Sequence, residues 1–305
     1  YKIIIDSNGL NYQGDPDTFT VEYDTDGETL NIVYADSTQG WIPLNDDDVT
    51  DAPTPPPTQK GIFAYGYDGG TPGTLSMSNL VTSSGVVGTD VSGVGTARYN
   101  TAAAGYGSDK AIFAYGYDGS SYLNMSNLVT NVGVVGADVT GVGSIRALCA
   151  AATYGTDKAI FGYGENSGGK ISLTNLVSNS GVVGSDVSGV GSARDGAAAT
   201  GYGVGLAIFA YGAIAATPPR VSTSNLVTNV GVVGADVTGV GTDRTLCAAA
   251  EYGVGLAIFA YGNTPSKISI SNLVTNVGVV GADVSGVGTA RSGLSGTRYG
   301  GDKAI

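Results

Sequence analysis

Arg98-Tyr-Asn-Thr-Ala-Ala-Ala-Gly-Tyr-Gly-Ser-Asp-Lys-Ala-Ile-Phe-Ala-Tyr-Gly-Tyr-Asp-Gly119 is the stretch whose reading decides the fold. A small-residue run, a glycine turn, an Ile-Phe-Ala-Tyr run and a second glycine turn follow one another, which is the punctuation of two short strands in succession. The phrase is not unique. Ile-Phe followed by Ala/Gly-Tyr-Gly recurs at Ile62, Ile112, Ile160, Ile208 and Ile258. An Asn-Leu-Val phrase begins at Asn79, Asn127, Asn175, Asn225 and Asn272, and a Gly-Val-Val phrase follows each.

The intervals are fixed except in one place. From each Asn to the next Asp (Asp90, Asp138, Asp186, Asp236, Asp283) is 11 residues in every copy. From that Asp to an Arg (Arg98, Arg146, Arg194, Arg244, Arg291) is 8, and from that Arg to the next Ile is 14. Only the Ile-to-Asn step varies, as 17, 15, 15, 17 and 14. In the second copy, strand character falls on Leu148–Tyr154, Ala159–Tyr163, Ile171–Val177 and Gly181–Val187. No stretch carries a 3.6-residue apolar stripe, and each interior glycine would cost a helix about 1 kcal/mol. With 50 glycines in 305 residues, the chain reads as all-β.

Four strands in a repeat of this length resemble the kelch repeat, where an Arg, a small-residue strand, an Ile-aromatic strand ending in Gly, a loop and two outer strands follow in order. The resemblance covers 61–305, with units starting near 61, 98, 146, 194, 244 and 291. It departs from the family where Tyr-Gly replaces Gly-Gly and Val-Val replaces a Trp. It implies a β-propeller of about five four-stranded blades, more if the chain continues, whose innermost strands carry the alanines. Arg291–Tyr299 would then pair with Gly61–Tyr65 and close the ring, although Lys303-Ala-Ile305 repeats the wording of another second strand. A β-solenoid is the structural alternative.

Residues 1–43 read differently. Lys2–Asp6, Phe19–Tyr23 and Thr29–Tyr34 look like strands separated by turn signals at Ser7-Asn8-Gly9 and Asp24-Thr25-Asp26-Gly27, which predicts a small antiparallel β module. Residues 44–60 combine aspartates with prolines and predict a stiff, solvated linker. The net charge of −12 is concentrated here, since residues 1–60 hold 12 acidic and 2 basic side chains (−10), leaving 14 and 12 (−2) for 61–305.

Composition excludes several chemistries. There is no histidine, so Ser-His-Asp and Cys-His machinery and imidazole metal ligation are impossible. Cys149 and Cys247 occupy equivalent positions in non-adjacent units, which predicts buried thiols rather than a disulfide. No basic stripe supports a nucleic-acid partner, and no apolar run of membrane-spanning length occurs. The acidic stretches at Asp15–Asp17, Asp24–Asp26 and Asp46–Asp48 lack a complete calcium-loop spacing, so neither metal nor cofactor is expected. The repeats hold few acids beyond the periodic Asp, so the chain reads as no enzyme.

The periodic set Asp90, Arg98, Asp138, Arg146, Asp186, Arg194, Asp236, Arg244, Asp283 and Arg291 reads as a structural ring, with Asp and Arg eight residues apart as the natural pairs. Most of the 18 tyrosines recur as packing positions. Repeat proteins place variation on one face, often the binding face, so the candidate ligand contacts lie in the variable connection. They are Tyr67, Asp68, Tyr117, Asp118, Tyr122, Glu165, Asn166, Lys170, Pro218, Pro219, Arg220, Asn263 and Lys267. Aromatics beside carboxylates and amides suit sugar rings or polar protein surfaces. The near-identical repeats, the Asp36–Trp41 phrase and the Asp/Pro spacer together resemble in style the repeat-bearing structural proteins of tailed bacteriophages. That resemblance implies a fibre or adhesin on a virion or extracellular surface that recognises a host-surface glycan or protein and contacts other virion proteins through its N-terminal module. An intracellular kelch-like scaffold for protein partners is the alternative.

Overall fold

The computed structural model describes residues 3–16, 21–23, 30–44, 61–71, 73–82, 84–217, 219–299 and 302–305. The fold is all-β, and the chain divides into Tyr1–Gln59 and Lys60–Ile305. In the first part Ile3–Ile5 pairs antiparallel with Val21–Tyr23, and Ile32–Asp36 pairs with Gly40–Pro43. The last strand lies in the phrase read only as a stylistic signature. Asp36 makes it a hairpin, accepting the backbone N–H groups of Thr38 and Gln39 at 2.7 Å each. Tyr12, Val21 and Tyr23 form its core. Residues 45–60 of the linker expected at 44–60, the strand starts at Lys2, Phe19 and Thr29 and the turn at Asp24-Thr25-Asp26-Gly27 lie outside the described residues.

The repeat region is built from one main antiparallel sheet per unit, and the Arg146 unit adds a two-stranded hairpin of Glu165–Asn166 with Gly169–Lys170. In the Arg98 unit, the first strand Ala102–Tyr106 pairs with the second, Lys110–Tyr117, which pairs with the third, Tyr122–Val129. The same order recurs as Ala150–Tyr154, Lys158–Gly162 and Thr174–Val177, then as Ala198–Tyr202, Leu206–Ala210 and Ser224–Val227. It recurs again as Ala248–Tyr252, Leu256–Asn263 and Lys267–Val274. The fourth stretch is not a full strand. It is held by two isolated bridges per unit, such as Val129 to Val135 and Ser126 to Val139, because its glycines and the turn at Gly133 break the ladder.

The core lies between sheets rather than within them. Ala102, Tyr106, Ile112, Ala114 and Tyr115 of one unit pack against Cys149, Ala159, Phe161 and Val177 of the next, and the pattern repeats along the region. A second strand therefore buries both faces, which is why Ile-Phe-Ala-Tyr is continuously apolar rather than alternating. First strands lie side by side in succession, and alanine is what allows that approach. They are tied at both ends: Gly107 N–H donates to Asp157 O and Gly155 N–H to Gly205 O at one end, and Gly196 N–H to Leu148 O at the other.

The expected pairing of Arg291–Tyr299 with Gly61–Tyr65 is not formed. Arg298–Tyr299 pairs with Lys303–Ala304, and Gly61–Tyr67 pairs only with Thr74–Val81. A hairpin a few residues long closes at small entropic cost, whereas joining the two ends closes the whole region. The local partner also carries the Lys-Ala-Ile wording that the first strands at Ala102–Tyr106 and Ala150–Tyr154 meet. One consequence is visible at Phe63, which is 54% exposed while its counterparts Phe161, Phe209 and Phe259 are fully buried.

Candidate functional site

The periodic Asp and Arg join, but not in the pairs that their eight-residue spacing suggests. Arg98 Nη1 lies 3.8 Å from Asp138, Arg146 Nη1 3.9 Å from Asp186 and Arg194 Nη1 3.6 Å from Asp236. The partner lies in the outer stretch of the arginine's own unit. Between them stands the Asn of the Asn-Leu-Val phrase. Asn127, Asn175, Asn225 and Asn272 accept from Nη2 of Arg98, Arg146, Arg194 and Arg244 at 2.6, 2.7, 2.5 and 2.7 Å. Each Asn then donates to the Asp, at 2.9 Å from Asn127 to Asp138 and from Asn272 to Asp283. At the leading unit Asp90 accepts from Asn79.

Each guanidinium also lies over a tyrosine ring of the preceding unit, at 4.1 Å for Arg98 on Tyr65, 3.8 Å for Arg146 on Tyr115, 4.0 Å for Arg194 on Tyr163, 3.8 Å for Arg244 on Tyr211 and 4.0 Å for Arg291 on Tyr261. These tyrosines hold positive φ values of 61–64°, a conformation that costs an L-residue roughly 1–2 kcal/mol. The guanidinium above and the edge-on phenylalanine of the next unit fix them there. Burial pushes the Tyr163 hydroxyl up to about 12 against the pull of Arg194, and pushes Tyr115 and Tyr211 up as well. Arg98, Arg146, Arg194, Arg244, Tyr115, Tyr163 and Tyr211 are buried in these stacks, and the Tyr115 and Tyr211 hydroxyls have no hydrogen-bond partner there.

The variable connection behaves differently. Four tyrosine rings follow one another across two units: Tyr67 to Tyr99 at 5.3 Å, Tyr99 to Tyr117 at 5.7 Å and Tyr117 to Tyr122 at 5.1 Å. The backbone explains the alignment. The residue after each Arg pairs with the second residue after the strained Tyr, so Tyr99 exchanges hydrogen bonds with Tyr117 at 3.0 and 2.9 Å, and Tyr117 faces Tyr122 across the next pair of strands. Tyr67 is 57% exposed, and the other three are half-buried.

The row continues into the Arg146 unit. Tyr122 donates to Glu165 Oε1 at 3.3 Å, and Lys170 Nζ lies 2.7 Å from Asp195 Oδ2. Glu165 occupies the position that Tyr117 holds one unit earlier, and Asp195 the position that Tyr99 holds two units earlier. Burial, then the hydrogen bond and charge of Asp195, raise the Glu165 carboxyl above its ordinary value despite Lys170. The result is an aromatic ribbon ending in two carboxylates and one ammonium.

Of the residues expected from sequence, Tyr67, Tyr117, Tyr122, Glu165 and Lys170 are thus brought together. The side chains of Asp68, Asp118 and Asn166 are engaged elsewhere, although Asn166 shares the Glu165–Lys170 hairpin. Asp68 accepts from Gly70 N–H, Asp118 from Ser120 and Ser121 N–H, and Asn166 from Gly168 N–H, each closing its own turn. Arg220 bridges to Ala213, and Asn263 pairs with Lys267 in a separate hairpin. Pro218 lies outside the described residues. Two members were missed, Tyr99 and Asp195. Their signal is the position directly after the periodic Arg, which varies from unit to unit (Tyr99, Ala147, Asp195, Thr245, Ser292) while the Arg does not.

Elsewhere a groove of about 570 Å³ runs over the first strands, lined by Ala103, Ala151, Thr200 and Ala249 with Glu251 and Arg298 at one end. Its acid is engaged, at 3.5 Å from Arg298. Cys149 and Cys247 are buried free thiols, and burial raises both, Cys247 to about 11. Among the described residues no cluster of three or more acids or cysteines is placed to hold a metal, and no helix is long and apolar enough to cross a membrane. No family model and no curated protein matches this chain.

Proposed function

We propose that the chain is a non-enzymatic binding and structural protein, a fibre or adhesin component of a virion or other extracellular surface that recognises a host-surface glycan or protein. The repeat units are read as about five blades of a kelch-like β-propeller, each with a three-stranded ladder or less and an outer stretch held by isolated bridges in place of a fourth strand. Three things support the blade reading: the alanine-rich first strands lie side by side, the core is formed between successive sheets, and every length change falls in one connection. The N-terminal module is read as the contact to other particle proteins.

The observation that carries the binding reading is the tyrosine ribbon. Four rings in sequence, reached from solvent at Tyr67 and flanked by carboxylates, offer amphipathic faces to a ligand that is itself apolar on its faces and hydroxylated at its edges. The structural need for these tyrosines is small. At the same row positions the Arg194 and Arg244 units carry Ala213, Thr245 and Asn263, and their sheets form equally well.

The test uses the full chain on a panel of immobilised surface polysaccharides and intact host cells. Binding by the wild type, lost in Tyr67→Ser/Tyr99→Ser/Tyr117→Ser while thermal unfolding is unchanged, is the expected result. Retention by the triple variant moves binding off the ribbon. Release of reducing ends from a bound polysaccharide would show turnover and overturn the non-enzymatic reading.

A further inference from the structure

The ribbon's chemistry narrows the ligand within the glycan reading proposed above, on which this step rests. No two neighbouring rings are parallel. Tyr67 and Tyr99 are tilted by 44°, Tyr99 and Tyr117 by 87°, and Tyr117 and Tyr122 by 59°. They therefore form angled walls rather than a flat shelf. At centroid distances of 5.1–5.7 Å neighbouring rings touch, edge to face at Tyr99 and Tyr117, so only their outward faces and edges are left for a ligand.

Charge at the end of the row selects the ligand. Asp68 and Asp118 close their own turns, and the ribbon ends on Glu165 and Asp195. The cation found at that end, Lys170, is already engaged at 2.7 Å by Asp195, leaving two carboxylates against one ammonium. Glu165 receives a neutral hydroxyl from Tyr122. An acidic sugar chain would meet uncompensated repulsion here, whereas a ligand ammonium would supply the missing positive partner. The ring-to-ring steps of 5.3, 5.7 and 5.1 Å are comparable to the length of one pyranose ring, so successive sugars of an extended chain can meet successive rings.

We propose that the ribbon from Tyr67 to Glu165 binds an amino-sugar chain, with sugar faces against Tyr67, Tyr99 and Tyr117 and a free ammonium directed to Glu165. Asp195 is the one member that the Arg194 unit supplies; beyond it the row passes through Ala213 to Arg220 and on to Lys267 with no aromatic side chain, and that stretch is not part of this site.

The test is calorimetric titration of the full chain, below neutral pH, with three soluble oligosaccharides of equal length: a glucosamine oligomer with free amines, its fully N-acetylated counterpart and a uronic-acid oligomer. The free-amine oligomer is expected to bind about tenfold tighter than the N-acetylated one, through a charge-assisted hydrogen bond to Glu165, and the uronate oligomer not measurably. Tyr99→Ala is expected to weaken binding about tenfold, and Glu165→Gln to remove the preference for the amine while keeping binding to the N-acetylated chain. Tyr67→Ala, at an exposed position, serves as the second aromatic variant should Tyr99→Ala unfold. Equal or tighter binding of the N-acetylated or uronate oligomer overturns the amine assignment and leaves the glycan reading standing. Binding of none of the three, with capture of a host-surface protein instead, overturns both.

Discussion

Arg146 places its guanidinium 3.8 Å over the ring of Tyr115 in the preceding unit while its Nη2 donates to Asn175 in its own. One side chain, fully buried, thus spans the boundary between two sheets. Arg146→Ala should cost about 3–5 kcal/mol, because Asn175 loses its donor and Tyr115 its cover. Arg146→Lys should recover little of it, since a point ammonium neither stacks nor reaches both partners. Urea midpoints of the two variants check this.

The same asparagine is not worth the same in every unit. Asn175 is fully buried and joins Arg146, Gly184 O and Asp186, whereas Asn79 is half-buried and donates to Gly88 O and Asp90. Asn175→Leu should cost about 2–3 kcal/mol and Asn79→Leu less than about 1. Equal losses in thermal melts would contradict the arginine's part in the difference.

Acid should weaken all the clamps together. Burial opposes the charge on Asp138, Asp186, Asp236 and Asp283, but side-chain and backbone hydrogen bonds from Asn, Thr or Ser and the nearby Arg outweigh it and hold each below its ordinary 3.8. A depressed folded value stabilises the fold above the unfolded value. That contribution is lost as the pH falls below 3.8 through the folded values. Denaturation midpoints measured from about pH 5 down to about pH 2 should fall, and Asp236→Asn should flatten the curve.

Alkali should act through the tyrosines with the opposite sign. Burial raises Tyr163 to about 12 and raises Tyr115 and Tyr211 as well, so their stabilisation is whole below the ordinary value of 10.0 and lost as the pH climbs past it. Spectrophotometric titration should show these phenols ionising in one step coincident with unfolding. Tyr163→Phe should reduce the amplitude of that step.

Both thiols should be silent in the native protein. Cys149 and Cys247 are buried with raised values, so an aromatic disulfide reagent at neutral pH should find no reactive thiol until urea unfolds the chain, and then two.

The order of the first three strands and the turn glycines were readable because fixed spacing makes local chemistry repeat. What spacing cannot tell is which copy a side chain meets. An Asp eight residues before one Arg also lies about forty after the previous one, and burial of Asn127 between Arg98 and Asp138 selects the distant partner. Gly95 and Gly143 record that choice, since a Cβ there would overlap Asp138 or Asp186. The ribbon was half legible: Tyr67, Tyr117, Tyr122, Glu165 and Lys170 lie in the connection that varies in length, whereas Tyr99 and Asp195 follow an invariant spacing and reach it only through cross-strand pairing. The ring closure failed for a reason of distance, because Lys303 stands beside Tyr299 in the chain and Gly61 does not.

Every clamp reaches no farther than the adjoining unit. Excision of residues 146–193 would seat Tyr115 beneath Arg194 and set Phe209 against it, restoring each kind of contact that the deletion removed. The number of units is therefore adjustable in whole steps, and the molecule can be lengthened or shortened by copying text it already contains.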